Sequence, residues 1–510
     1  MIRNQNLKRL MIPRWRSLRL TIRSKELSGS FLKRDAGPVG QITPELQHRL
    51  ENWRRHQNLA SAAELVETAF VDAREEEAVN AARSLLAEGS QAVPLVQAQA
   101  ALLLKRIGLD GEIPQHVKLS SSEFTAFWRR RTRFYPQNPL GWIELALSYT
   151  IDGRIDPAKR AILVALQLAP NNRHVLRSAS RFFLHCKDDI RAYETIARSE
   201  AVQYDPWLIA SELALAEHID RDPLFYKRGI AMFDRGILPR QLTELAGSIA
   251  TMELLEGNKR KARRYFETSM ADPNANALAQ AEWASPKFGD DLYSVSTLCS
   301  VEEAYEARAQ HLFREGKFAD VYLECEAWME DESYSVRPYE LSASAANVLE
   351  DHEKGDEITR RGLRRRPDSI QLLNCRAFAL ACQNRLDEAE AVLVKIASEA
   401  PEWTRLVADA NRGLIAFRRG KYLEGITCYE QAIGGFKRSG LSHMALSAST
   451  YLCREMVRAD LPVGKKMAEA LRLAVKNSQD NAIKKAFQGV EDFLAAQQEV
   501  RQMENQLTNS

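Results

Sequence analysis

The stretch that decides the fold is PLGWIELALSYTIDGRIDPAKRAILVALQLAPNN, residues 139–172. Bulky apolar and small residues recur in it three, four and seven positions apart, which places them on one face of each of two successive helices. Gly153 and Asp156 mark the turn between the helices, and Pro170 ends the second one. The stretch therefore predicts a helix-turn-helix unit, whose pattern residues are Trp142, Leu145, Ala146, Tyr149, Ala158, Ile162, Ala165 and Pro170.

The order and spacing of these residues resemble a tetratricopeptide repeat (TPR), which has a period of about 34 residues. Less regular copies follow along the chain. Their closing prolines Pro367 and Pro401 lie one repeat apart, and Gly-Lys-aromatic turns begin at Gly316 and Gly420. Units of this kind bury their apolar faces only against neighbours, so the resemblance implies an array. We expect an all-α fold, a right-handed α-solenoid of stacked helix-turn-helix TPR-like repeats with about ten or eleven helix pairs.

Composition and the positions of helix-breaking residues suggest how the array is organised. The 510 residues are 45% hydrophobic and 27% charged, and no alternating run predicts a strand. We expect repeats over residues 41–273 and 301–460. Pro286 and Gly289 interrupt the helical period within residues 274–300, which predicts an irregular hinge or a long loop. Residues 461–510 are expected to form capping helices, with a short dimerising coiled coil from Phe487 onward as the alternative.

Charge is segregated toward the N-terminus. Residues 1–34 contain ten Lys or Arg and one Glu, a net charge of +9, whereas the rest of the chain carries −6. Residues 1–40 are predicted to be a basic arm, either disordered or a mitochondrial-type targeting segment, with a membrane-surface helix as a further alternative. Pro13 argues against one uninterrupted helix. The expected localisation is cytoplasmic, or an organelle if the arm is a targeting segment.

Motifs for chemistry are missing from the sequence. It has no Gly-rich phosphate loop, no His-Glu-x-x-His and no Gly-x-Ser-x-Gly. Its seven cysteines contain no Cys-x-x-Cys pair, which argues against zinc and suggests reduced thiols of a cytosolic-type compartment. No apolar run approaches the ~18 residues that a membrane span requires. We expect no catalytic residues, no metal and no cofactor.

The resemblance implies that the first helix of each pair lines a concave groove. On this basis a cationic set lies beside an apolar one, with an acidic stretch at Glu303 and Glu306 and a neutral one beyond it. This combination suits an extended or helical peptide with an acidic feature. Alternatively, the arginines are part of a solvated face. The predicted groove residues are His174, Arg177, Arg181, His185, Leu140, Ile143, Leu147, Asn374 and Phe378.

Three functional hypotheses follow. The leading one is a non-catalytic scaffold or adaptor that binds a protein or peptide partner in the groove. The second is a nucleic-acid- or anionic-membrane-associated protein that uses the basic arm. The third is a regulatory subunit of an enzyme complex, or an unrecognised enzyme. The leading hypothesis requires an inner wall that is open for docking, so a wall filled by the chain itself would argue against it.

Overall fold

The computed structural model describes residues 9–17, 44–72, 74–87, 90–92, 94–109, 121–235, 237, 239–301, 303–396 and 400–508. Every regular element within these ranges is helical: 26 α-helices and three short 3-10 helices, with no strand. The predicted all-α fold is confirmed. None of the described helices combines the length and apolarity that crossing a bilayer requires.

Five helices precede the clearest repeat. They enclose a small aliphatic core formed by Leu46, Leu65, Leu85 and Leu103. Helix α1 packs on α2, and α3 packs on both α2 and α4. The five helices are α1 (Pro44–His56), α2 (Leu59–Asp72), α3 (Val79–Leu86), α4 (Pro94–Arg106) and α5 (Ser121–Phe134).

Ten helix pairs follow in the described residues. The first helices of the pairs are α6 (Pro139–Ile151), α8 (Arg173–His185), α10 (Pro206–His218), α12 (Pro239–Leu255), α14 (Ala275–Phe288), α16 (Tyr305–Arg314), α18 (Arg337–Val348), α20 (Ile370–Cys382), α22 (Glu402–Arg418) and α24 (Ser442–Arg458). The second helices are α7 (Ile155–Leu168), α9 (Asp189–Ala197), α11 (Tyr226–Met232), α13 (Lys259–Ser269), α15 (Val295–Ser300), α17 (Phe318–Asp331), α19 (His352–Arg365), α21 (Leu386–Leu393), α23 (Tyr422–Arg438) and α25 (Pro462–Asn477).

The first helices from α6 to α14 pack on one another in sequence order, as do those from α18 to α24. Helix α6 packs on its own second helix α7 and on the next first helix α8, and α20 packs in the same way on α21 and α22. In the first clear repeat, Asn138 caps α6 by accepting a hydrogen bond from the Leu140 amide, and Pro139 starts the helix. The small and aliphatic pattern residues of this repeat are buried as predicted. Trp142 is partly buried and packs against the main core cluster, whereas Pro170 is exposed.

A residue with positive φ follows each of the ten described first helices. Nine of the ten described first helices are followed, two positions after their last residue, by a residue with positive φ, and α14 is followed at once by Gly289. Glycine adopts this conformation without strain. Several of these positions are not glycine, which is why the sequence alone did not reveal all the turns. They are Lys187, Asp220, Glu350, Asn384 and Asp460.

The described residues form two compact units. Unit 1 runs to Ala307 and includes the short connection Asp331–Tyr334, whereas unit 2 comprises Arg308–Glu330 and the chain from Ser335 onward. Residues 274–300, expected to be an irregular hinge or loop, are mostly helical and belong to unit 1. Pro286 lies in the last turn of α14, and Gly289 supplies the left-handed turn that follows.

The C-terminal helix α26 (Asn481–Thr508) belongs to unit 2. Phe487 and Val490 are buried against Cys453 and Val457 of α24, so these apolar side chains face their own unit. The Asn481 side-chain amide donates a 2.7 Å hydrogen bond to the Arg314 carbonyl. The expectation of a capping role for residues 461–510 stays a prediction.

Candidate functional site

The segment Arg9–Ser17 lies along one face of the first helices of unit 1. It forms no helix, and it is largely buried. We call Arg9–Ser17 the arm segment. We call the surface beneath it the docking face, which consists of Asp331–Tyr334 and of residues from five first helices and the start of α16: Glu144, Phe182, Ala214, Gly247, Asn276, Ala277, Gln280, Glu303 and Glu306.

This position corrects two expectations. The arm segment is not a disordered tail, because its side chains are packed and paired within unit 1. The docking face is not an open wall, because the chain's own residues cover it. The targeting and membrane-surface interpretations stay predictions, because residues 1–8 and 18–40 of the basic arm lie outside the described residues.

Three arginines of the arm segment form ion pairs with the docking face. Arg9 Nε lies 3.0 Å from Glu306 Oε1, and Arg14 Nη2 lies 2.5 Å from Glu306 Oε2. Arg14 Nη1 also lies 3.2 Å from Glu332 Oε1. Arg16 Nη2 lies 2.8 Å from Asp331 Oδ2. The Glu306 side chain has no exposure to solvent, so these pairs are poorly screened and each charge needs its partner.

Two apolar side chains anchor the arm segment between the charged contacts. Met11 is 1% exposed and clusters with Ala214 and Ala277. Gly247 makes room for it, since a Cβ at that position would lie 3.2 Å from the Met11 methyl group. Trp15 is also 1% exposed, and its ring centroid lies 6.1 Å from that of Phe182 and 5.6 Å from that of Tyr334.

Side chains of the docking face also bind the main chain of the arm segment. Gln280 Nε2 donates to the Arg9 carbonyl at 2.6 Å, and Asn276 Nδ2 donates to the Ile12 carbonyl at 3.2 Å. At the other end, Ser17 Oγ donates to Glu144 Oε2 at 2.7 Å. Because Arg9 lies at α14 and Ser17 at α6, the segment runs opposite to the order of the first helices.

The predicted cationic residues of α8 are engaged inside unit 1. Arg177 Nη1 lies 2.8 Å from Glu244 Oε2, and its guanidinium stacks 5.0 Å from the Trp207 ring centroid. Arg181 Nε donates to the Tyr334 hydroxyl at 2.9 Å, and the His185 ring packs edge-on against Tyr334. These contacts remove the reason for expecting an acidic partner, because the α8 arginines already have partners within the chain.

The fourth residue of that set, His174, is buried and neutral. Burial lowers the pKa of its imidazole from 6.5 to about 3, and the nearby Arg177 charge adds to the shift. A neutral ring with this pKa cannot act as a cationic contact at neutral pH.

The apolar and neutral members of the predicted groove are buried too. Leu140, Ile143 and Leu147 lie in the core of unit 1. In unit 2, the Asn374 side-chain amide donates to the Thr404 carbonyl at 3.1 Å, and the Phe378 ring packs 5.3 Å from that of Tyr451. The contact of these nine predicted groove residues with a partner stays a prediction.

The sequence indicated both the basic arm and the acidic stretch, but it did not indicate that the two are in contact. Sequence reasoning recognised the basic arm and the acidic stretch at Glu303 and Glu306, but Arg9 and Glu306 are 297 positions apart. It missed Glu144, Asp331 and Glu332, which no local motif distinguishes from surface carboxylates. Burial raises the pKa of Asp331, and the neighbouring Arg16 opposes that shift. The one sequence feature that could have indicated this contact is the opposite net charge of residues 1–34 and of the rest of the chain.

Within the described ranges, no three His, Cys, Asp or Glu side chains are grouped so that they could hold a metal ion. All seven cysteines are free thiols, and burial raises the pKa of Cys325 and Cys375. High thiol pKa values are typical of packed cysteines and not of nucleophiles.

No model of a known protein family and no curated protein sequence matches the chain. Solved structures give weak similarities. Yeast Tom70 aligns with a TM-score of 0.33 and 12% identity, over 87% of this chain and 97% of its own. The human IFIT1 dimer with PPP-AAAA has a TM-score of 0.33 and 13% identity, over 89% and 95%. The APC/C hetero-tetramer Cut9-Hcn1 has 0.32 and 13%, over 86% and 92%. Because these scores are low, the fold assignment rests on the helix pairs themselves.

Proposed function

We propose that this chain is a non-catalytic scaffold that binds a protein or peptide partner along the first helices of unit 1. The observation that carries the proposal is the arm segment itself, a non-helical stretch of polypeptide bound across five first helices. The covered face argues against a groove that is permanently open, so a partner binds there only by displacing the arm segment. A surface that holds one peptide through side-chain and main-chain contacts has the chemistry to hold another. The repeat architecture supplies such a surface without catalytic groups.

The contacts of the arm segment also affect the second hypothesis. Arg9, Arg14 and Arg16 pair with buried carboxylates, so they are not available to phosphates while the segment is docked. This leaves less of the basic arm for nucleic acid or a membrane surface. The scaffold hypothesis is therefore the better supported of the two.

Site-specific photo-crosslinking tests the proposal. A photo-reactive phenylalanine analogue is placed at Phe182 on the docking face and, as a control, at Leu163 on α7, which is exposed. The host chain carries Arg14→Glu and Arg16→Glu, which place negative charges beside Glu306 and Asp331 and displace the arm segment. We expect one partner protein to be captured in stoichiometric yield from position 182 only. Capture from position 163 alone, or from neither position, would contradict the proposal.

A further inference from the structure

The docking face has a chemistry that selects its ligand. The charged groups of the face that pair with the arginines of the arm segment are carboxylates, and Glu306 and Glu332 are almost completely buried. Arg181 is a cation near these two carboxylates, but the carboxylates Glu303, Glu306, Asp331 and Glu332 outnumber it. Removing a cation from a buried pair leaves an uncompensated charge, which is much more costly than having no pair. The face therefore requires a ligand that supplies positive charge.

The spacing of the cationic and apolar side chains is also specific. Arg9 and Arg14 converge on the same carboxylate although they are five positions apart. The main chain between them turns, since the Ile12 amide donates to the Leu10 carbonyl at 2.7 Å, and the Ile12 carbonyl accepts from Asn276 instead of from a helical amide. Trp15 fills an aromatic pocket between Phe182 and Tyr334, directly beside the arginine that reaches Asp331.

The arm segment behaves as a tethered ligand of this face. A tethered segment is present at an effective concentration of about millimolar, so it excludes a free peptide that binds at the same place. The apparent affinity for the free peptide then falls by the fraction of chains whose face is vacant.

We propose that the docking face recognises a non-helical peptide segment of an external protein that carries arginines and an aromatic side chain in the pattern of the arm segment, and that the arm segment competes with this partner. The proposal rests on the scaffold function above and adds the chemistry of the partner. The partner is basic, the opposite of the acidic peptide expected from the sequence. The arm segment then acts as an internal inhibitor of binding.

A labelled synthetic peptide with the sequence of residues 9–17, RLMIPRWRS, is the probe. Its binding is measured by fluorescence anisotropy against the intact full chain and against the full chain with Arg14→Glu and Arg16→Glu. The matched control is the full chain with Arg129→Glu and Arg133→Glu, which has the same charge change on exposed positions of α5. The control peptide has glutamate in place of each arginine.

We expect the peptide to bind the arm-substituted chain at least about tenfold more tightly than the intact chain or the α5 control. The glutamate peptide should not bind. Equal affinity for all three chains, or equal binding of the two peptides to the arm-substituted chain, would overturn the proposal.

Loss of folding in the arm-substituted chain is detected by circular dichroism and does not block the test. In that case the peptide should raise the melting temperature and restore helicity, because it fills the vacated face, and no rescue would overturn the proposal. If the peptide fails while crosslinking at Phe182 still captures a partner, the basic-peptide chemistry is wrong and the scaffold function stands. Failure of both experiments would reject the scaffold function as well.

Discussion

Glu306 accepts hydrogen bonds from two arginines that are five positions apart in the arm segment. A carboxylate can do this because its two oxygens offer about four acceptor positions. The pairing also depends on Asn276 and Gln280, whose side chains fix the segment by its main-chain carbonyls. Recognition at the residue scale thus combines charge with main-chain contacts, a combination that no single position reveals in the sequence.

Trp15 and Trp142 provide a matched pair of substitutions. Trp15→Ala removes a fully buried ring and should cost about 3–5 kcal/mol of docking free energy. Trp142→Ala should cost less, about 1–3 kcal/mol, because that ring is partly exposed and its main polar contact is a 2.8 Å hydrogen bond to the Pro136 carbonyl.

Limited trypsin digestion and thermal melting measure the difference. Arg14 and Arg16 are protected in the intact chain by burial, so Trp15→Ala should expose both to cleavage. Trp142→Ala should leave them protected. If both variants are cleaved equally at these arginines, Trp15 does not hold the arm segment in place.

His174 makes the stability of unit 1 depend on pH. Its pKa is lowered to about 3 in the folded state, so below pH 6.5 the unfolded chain takes up a proton that the folded chain does not. This difference in proton uptake has no effect above the pKa of His174 in the unfolded chain. As pH falls below that pKa, it lowers the free energy of unfolding increasingly, by about 2 kcal/mol at pH 5. Urea unfolding at pH 7.5 and pH 5 should show a smaller acid loss for His174→Gln. His56→Gln, at an exposed position, should keep the full loss.

At the scale of the element, the sequence predicted helices better than it predicted turns. Leu145, Ala146, Ala158 and Ile162 pointed to the right helices, because burial of one face imposes a helical period. The turns at Lys187 and Glu350 escaped prediction because neither residue favours the left-handed conformation. Pro286 predicted a break that the structure does not show at that position, since α14 continues to Phe288.

Two glycines of unit 2 should respond in opposite directions to the same substitution. Gly420 has φ +75° and no atom within 4 Å of the place where a Cβ would stand, so Gly420→Ala costs only backbone strain, about 1 kcal/mol. Gly434 lies inside α23, where a Cβ would meet only the flexible end of the Arg438 side chain. Gly434→Ala should therefore stabilise by up to about 1 kcal/mol. Denaturant melts of the two variants check this, and two changes of the same sign would refute the assigned backbone conformations.

At the scale of the whole molecule, the sequence predicted the class of fold but not the occupancy of its binding surface. Helical periodicity is local, so residues 139–172 were sufficient to indicate the repeat. The docking of Arg9–Ser17 depends on contacts with residues far away in the sequence, across most of unit 1. Such long-range contacts produce no periodic pattern that a single sequence could show. The opposite net charges of residues 1–34 and of the rest of the chain indicated that the two are electrostatically complementary, but not which residues are in contact.

The division into two compact units makes a prediction about cooperativity. The core around Trp15 and Phe182 consists of unit 1 residues, whereas the core around Phe436 and Tyr429 consists of unit 2 residues. Phe436→Ala removes a ring that is 2% exposed and should cost about 3–5 kcal/mol. Because repeat arrays open locally, each substitution should weaken its own unit first. Hydrogen exchange should show faster amide exchange in unit 1 for Trp15→Ala and in unit 2 for Phe436→Ala. Faster exchange throughout both units in either variant would mean that the chain unfolds as one cooperative body.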